Sequence, residues 1–333
     1  MILLCLLMLV SFGWHGCRWE ESVRPSTSPD SPAASSSTET PSRLTDVGKI
    51  TVRDTLGREV IVPQSPRRIV SIAPKGTELL FAIGAGDQVV GVTTSCNYPP
   101  EAQHREKVGG FSLKSLSLEK VIALHPDVVI STGEYHRPVI DHLERLQIPV
   151  IALGGETFES LYQDLTLLGK VTGNSEQADQ ISRQIRTRVE YVRQIGAAIP
   201  PNERLSLFYQ AWDEPLSAAG PGSFMDEIIR LTGARNIFDD ADKIYPQISS
   251  EALIARDPDV IIARKVASQQ TIEDVSKKPG WSHLKAIRNG RVYLLDGDLI
   301  ARFGPRIVDA LEIIAQEIYP DRFSHLQQDR ASP

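Results

Sequence analysis

The sequence predicts an α/β protein built as two related lobes, each with a central β-sheet flanked by helices, bridged by one long α-helix and separated by a ligand cleft. Three observations carry that prediction: a strand, turn and helix rhythm along most of the chain, an internal repeat, and one long amphipathic segment between the repeated parts. A length of 333 residues with 41% apolar side chains is enough for two such cores.

The chain opens with an apolar run, Met1 to Val10, that continues through Gly16 without a charge and meets Cys17. Residues 1–16 read as a secretory signal peptide, too short for a mature bilayer span, which takes roughly 20 residues. Gly16-Cys17 resembles a bacterial lipoprotein cleavage site, which makes Cys17 the expected lipidation residue, with plain secretion as the alternative. From Ser22 to Thr45, eight Ser, four Pro and four Thr fill 16 of 24 positions. Such a stretch has too few apolar groups to offset the entropy of ordering, so residues 17–48 are expected to be a lipid-anchored disordered linker. The chain would then meet the membrane only through its lipid, at the cell surface or in the periplasm.

The folded part divides into an N-terminal α/β lobe at 49–173, a bridging helix at 174–198, a C-terminal α/β lobe at 199–320 and a tail at 321–333. Ile50 to Asp54 and Arg58 to Pro63 alternate with period two around Leu56-Gly57, a β-hairpin. Arg68 to Ile72 is a buried-strand run, and Thr77 to Ile83 has helical spacing that stops at Gly84. Val89 to Val92, Val128 to Ser131 and Val150 to Leu153 are further strands. The repeat then appears: Glu119 to Ile130 returns as Glu251 to Ile262, 132 positions later, each copy a helix that ends at Pro-Asp and feeds a strand. Thr77 to Ala85 pairs with Phe224 to Ala234, and Ile148 to Leu153 with Arg291 to Leu295, in the same order. Between the copies, Ala178, Ile181, Ile185, Val189, Val192 and Ile195 form one apolar stripe after the N-cap candidate Ser175 and before Pro200-Pro201. A rod of about 35 Å is a stiff connector, so lobe movements are expected to be small and the cleft largely preformed.

Composition excludes several functions. With 36 Lys+Arg against 42 Asp+Glu, there is no electrostatic basis for nucleic acid as a partner. Cys5, Cys17 and Cys96 form no CxxC pair and no zinc spacing, and no intrachain disulfide is expected. No nucleophile elbow, phosphate loop or metalloprotease motif is present, so the chain does not read as an enzyme and has no catalytic residues to assign. Gly220 to Phe224 opens a helix, either as an anion cradle or as a turn with a cap. No metal site is expected: His136 and His142 are six apart, which does not align two ligands on a helix, although His136 alone remains a candidate for a ligand's metal.

The remaining candidates are aromatic residues in loops beside predicted strands: Tyr98, Phe111, Tyr135, Trp212, Tyr245 and Phe303. Planar rings on Gly/Pro-rich loops offer large contact areas with few rotamers to freeze, suiting a bulky flat ligand, and for any one of them ordinary packing is the alternative. Glu119 and Glu251 stand at equivalent places at the starts of two helices. There a carboxylate complements the helix dipole, and two symmetry-related carboxylates also suit a two-fold symmetric partner with basic sockets.

Arg68 to Pro74 with Thr77-Glu78-Leu79, Tyr98-Pro99-Pro100, Leu118-Glu119 through Val129, Pro279-Gly280-Trp281, Asn289 to Tyr293 and Gly304-Pro305-Arg306 together are specific. Over residues 49 to about 320 the chain resembles the helical-backbone (class III) solute-binding proteins of ABC importers for vitamin B12, iron-siderophores and haem. Tyr98-Pro99-Pro100 with Tyr245 to Ser249 places it nearest the cobalamin-binding branch. The resemblance implies a monomeric receptor whose ligand is a cobalt corrinoid, or else an iron chelate such as a ferric siderophore or haem, with no cofactor of its own. It also implies that Glu119 and Glu251 dock on arginines of a dimeric permease that carries ATPase subunits. Phe111 and Tyr245 fall where cobalamin binders tend to have Trp, and Arg302, and less so Lys75, is the basic residue expected in a siderophore-type cleft.

Overall fold

A computed structural model of the protein describes residues 48–265 and 271–326. The signal peptide, Cys17 and nearly all of the linker lie outside the described residues.

The predicted hairpin is β1 (Lys49–Arg53) and β2 (Glu59–Pro63), antiparallel with Lys49 opposite Pro63. Val52, Val60 and Val62 point inward while their neighbours face water, as period-two alternation requires. Asp54 stabilises the turn by accepting from the Leu56 and Arg58 amides at 3.0 and 3.1 Å, and it pairs with the Arg58 side chain.

The first lobe continues with β3 (Ile69–Ser71), α1 (Pro74–Ala82), β4 (Val89–Val92), β5 (Glu106–Lys107), α2 (Leu118–Ala123), β6 (Val128–Thr132), α3 (Arg137–Arg145), β7 (Val150–Leu153) and α4 (Phe158–Thr172). Its sheet has the order β5-β4-β3-β6-β7, with all pairs parallel. Parallel strands are covered on both faces, which is why β3 and β7 are buried at every position rather than alternating. The long helix α5 (Ser175–Ala197) follows; Ser175 is its first helical residue and Asn174 holds the cap position, one residue earlier than the sequence suggested. The second lobe comprises β8 (Ser206–Trp212), β9 (Ser217–Ala218), α6 (Phe224–Leu231), β10 (Arg235–Asn236), α7 (Ser250–Arg256), β11 (Val260–Lys265), α8 (Ile272–Ser276), α9 (Lys285–Arg288), β12 (Val292–Asp296), α10 (Gly297–Ala301) and α11 (Ile307–Ile318). Its sheet runs β10-β8-β11-β12, parallel throughout, with β9 added antiparallel to β8.

The two sheets share one plan: β4-β3-β6-β7 corresponds to β10-β8-β11-β12, and the duplication reaches backbone detail. Asp127 accepts from the Arg67 and Arg68 amides at 2.8 and 2.9 Å, and Asp259 accepts from the Ser206 amide at 2.9 Å. The repeated Pro-Asp therefore ties the start of each central strand to its neighbour. His125 and Asp257, 132 apart, both take the left-handed conformation, with φ of 45° and 44°. Gly220 to Phe224 is a turn with a cap, since the Ser223 hydroxyl accepts from the Asp226 amide at 3.2 Å.

Helix α5 packs against α4 on one side and against α6 and α11 on the other. Ala178, Ile185 and Val192 are buried in a hydrophobic core that runs continuously from Ile69 and Leu79 in the first lobe to Phe224 and Ile314 in the second. Arg188 adds a bidentate pair to Glu312 and a bond to Asp309, at 2.6–2.7 Å. A connector fused to both lobes through a shared core resists wide hinge opening.

Candidate functional site

The lobes also meet directly. Glu78 on α1, almost fully buried, accepts from Arg306 Nη2 at 2.7 Å and Nε at 3.1 Å, and Arg302 Nη1 lies 3.8 Å away. A Cβ at Gly304 would stand 2.7 Å from the Glu78 carboxylate, so only glycine lets the second lobe approach this closely. Phe158, Phe224 and Phe303 form a chain of rings with centroids 5.3 and 5.0 Å apart, closing the seam below.

Above this floor lies a cleft with two chambers. The first, about 610 Å³, is lined by Lys75, Phe111, Tyr135 and Gly154 of the first lobe, and by Asp298, Arg302 and Phe303 of the second. The second, about 420 Å³, is lined chiefly from the second lobe by Tyr209, Trp212, Met225, Tyr245 and Arg264. Glu156, Ala301 and Phe303 belong to both and mark the division. Each chamber falls within the usual size range of small-molecule sites.

In the first chamber the Phe111 and Tyr135 rings stack at 5.1 Å and 6°, with His136 edge-on to Phe111 at 5.0 Å. His136 is fully buried: its Nε2 lies 3.0 Å from the Phe111 carbonyl oxygen and the Thr132 amide approaches Nδ1 at 3.5 Å. Burial lowers its pKa, favouring the neutral ring that this pattern requires. Both ring nitrogens face backbone, so His136 supports the aromatic platform and is not presented to a ligand's metal. Among the described residues, no group of three or more His, Cys, Asp or Glu side chains could hold a metal ion.

At the chamber edge Lys75 donates to the Gly154 and Gly155 carbonyls at 2.8 and 3.0 Å and pairs with the fully buried Asp164 at 2.6 Å. Asp164 also accepts from the Gly154 amide at 3.0 Å. The pair thus pins the glycine turn after β7. Burial raises the Asp164 pKa against the opposing pull of Lys75.

Five of the six candidate aromatics line the cleft: Phe111 and Tyr135 the first chamber, Trp212 and Tyr245 the second, Phe303 both. Tyr98 lines neither; its ring lies under the Arg306 guanidinium at 3.7 Å, where it supports the contact between lobes. Two of these residues are not in loops: Trp212 ends β8, and Tyr135 is central in a short 3-10 turn, Glu134–His136. Arg302 lines the first chamber, but Asp298 at 2.6 Å and Asn97 at 2.6 Å already engage its guanidinium beside Glu78. Glu156 and Arg264 also line the cleft and carry no sequence signal: the first follows an unremarkable Gly-Gly, and the second sits near a strand end with no local motif. The Tyr245 hydroxyl donates to Glu156 across the seam at 2.8 Å, and burial, followed by Glu156, raises its pKa.

Glu119 and Glu251 are exposed in the first turns of α2 and α7. Ser117 and Ser249 cap these helices, accepting from Lys120 and Ala252 amides at 3.3 and 3.1 Å. Both carboxylates have lowered pKa values, chiefly through hydrogen bonding to their own backbone amides and then to the cap serines. The repeat thus presents two matched, ionised carboxylates. Among the described residues, no helix is long and apolar enough to cross a membrane.

A family profile described as periplasmic binding protein matches residues 69–299. The chain is 31% identical over 284 residues to an uncharacterized ABC transporter substrate-binding lipoprotein, YvrC, of Bacillus subtilis, covering 84% of this chain and 88% of that protein. It is 30% identical over 259 residues to a vitamin B12-binding protein of Pectobacterium carotovorum, covering 76% and 88%. Among solved structures, the periplasmic vitamin B12-binding protein BtuF of Vibrio cholerae superposes with a TM-score of 0.65 at 27% identity, covering 77% of this chain and 97% of that one. A periplasmic heme-binding protein of Pseudomonas aeruginosa gives 0.67 at 28% identity, covering 77% and 93%.

Proposed function

Because this chain belongs to the periplasmic binding protein family, we propose that it captures a corrinoid such as cobalamin in the cleft between its lobes and delivers it to a membrane ABC permease. It acts as a carrier, not a catalyst. The observation that carries the ligand assignment is the two-chambered aromatic cleft, with a stacked Phe111–Tyr135 pair in one chamber and Trp212 and Tyr245 in the other. Such a site suits a broad, flat, partly apolar ligand. The similarity to vitamin B12-binding proteins supports the corrinoid over other flat ligands. An iron chelate, haem or a ferric siderophore, is the second reading, supported by the likeness to a heme-binding protein. Delivery uses Glu119 and Glu251 as docking carboxylates on a dimeric permease served by ATPase subunits. Acylated Cys17 and the Ser/Pro/Thr-rich segment after it keep the carrier at the membrane, a reading supported by the similarity to a relative named a lipoprotein.

Thermal denaturation with cyanocobalamin, dicyanocobinamide, hemin and a ferric siderophore tests the ligand. A ligand at a hundred times its Kd stabilises the folded state by about 2.7 kcal/mol. A rise in Tm of several degrees with either corrinoid is expected. A rise confined to hemin or the siderophore transfers the assignment to an iron chelate, and no rise with any of the four removes both readings.

A further inference from the structure

The cleft has three cationic side chains among its described lining residues, and two are already neutralised. Lys75 is held by Asp164, and Arg302 by Asp298 and Glu78. The third, Arg264 of β11, has no carboxylate within salt-bridge distance among the described residues. Its guanidinium lies over the Trp212 ring, 4.8 Å from the centroid, and its Nε is buried without a hydrogen-bond acceptor. The site is shaped around it: a Cβ at Gly297 would stand 3.2 Å from Arg264 Cγ and 2.7 Å from the Lys265 carbonyl oxygen, so glycine there leaves room for the arginine stem. Tyr209 and Tyr245 line the same chamber, and so does Glu156, whose carboxylate receives the Tyr245 hydroxyl. An arginine fixed over an aromatic face in a partly enclosed chamber presents its planar fork to a planar or tetrahedral oxyanion.

We infer that Arg264 is the specificity residue of the cleft and receives an anionic oxygen group of the ligand, a phosphodiester or a carboxylate. The inference rests on the cleft being the ligand site. If the ligand is a corrinoid, the group is the phosphodiester of the nucleotide loop, which cobalamin has and cobinamide lacks. If it is a haem, the group is a propionate.

Two ligand pairs, in each of which one member lacks the anionic group, test this in wild type, Arg264→Gln and Arg264→Lys by titration calorimetry: cyanocobalamin against dicyanocobinamide, which lacks the whole nucleotide, and hemin against its dimethyl ester. In one pair, wild type should prefer the anionic member at least tenfold, Arg264→Gln should abolish that preference, and Arg264→Lys should keep part of it. The other member should bind wild type and Arg264→Gln within about twofold, which separates charge recognition from damage to the chamber. The pair that shows the pattern identifies the source of the anion. If neither corrinoid binds and the hemin pair shows the pattern, the corrinoid reading fails while the role of Arg264 stands. Equal weakening of both members by Arg264→Gln, or a wild type that discriminates within neither pair, overturns the inference.

Discussion

Lys75→Met will destabilise the folded protein by roughly 3–5 kcal/mol near pH 7, the usual cost of leaving one charge of a buried pair without its partner. Asp164 is fully buried, and its two oxygens are engaged by Lys75 and the Gly154 amide. Without the ammonium, the carboxylate has lost its counter-ion, and the Gly154 and Gly155 carbonyls have lost a shared donor. The pH dependence has a definite sign. Burial already raises the folded-state pKa of Asp164 above its unfolded value, so its contribution favours the folded state at low pH and is lost as pH rises through the folded pKa. Removing Lys75 raises that pKa further, so the deficit should be largest near neutrality and narrow on acidification as Asp164 takes up a proton. Urea denaturation at pH 7 and at pH 5 measures both features. The double variant Lys75→Met with Asp164→Leu should recover much of the loss, because an apolar pair of similar size needs no compensation. A single variant within 1 kcal/mol of wild type would show that the pair carries little.

Glu119→Ala combined with Glu251→Ala should cut ligand delivery to the permease at least tenfold and leave ligand affinity within twofold of wild type. Neither carboxylate lines the cleft, and Ser117 and Ser249 still cap their helices when the glutamates are removed. The matched placement on two repeats suits a two-fold symmetric partner, so each single variant should retain an intermediate rate: one docking contact survives. Uptake by vesicles or cells that carry the permease gives the rate, and calorimetry gives the affinity. Loss of ligand binding in the double variant would sink the docking role, as would undiminished delivery.

Two contacts mark how far the sequence reaches. The Asp127 and Asp259 carboxylates tie their strands to a neighbour by accepting from equivalent backbone amides, and the repeated Pro-Asp announces both. The stripe Ala178, Ile185 and Val192 likewise announces the buried face of α5. Tyr98 shows the limit, because an aromatic before Pro-Pro looks equally suited to a ligand or to an arginine 208 positions later, and it meets Arg306. Arg302 has the expected charge in the expected chamber, yet Asp298, Asn97 and Glu78 engage it.

The amino-acid order by itself determined the duplicated α/β plan, the connecting helix and the matched Glu119 and Glu251, because periodicity, capping and Pro-Asp turns act between residues close along the chain. Only the tertiary structure decided which charges in the cleft are neutralised and which one, among the described residues, is left facing the chamber. Glu78 and Arg306 are 228 positions apart, and Glu156 and Tyr245 are 89 apart. Such partners are chosen by how two separately formed sheets come to rest against each other, and electrostatic pairing at contact distance leaves no trace in local sequence.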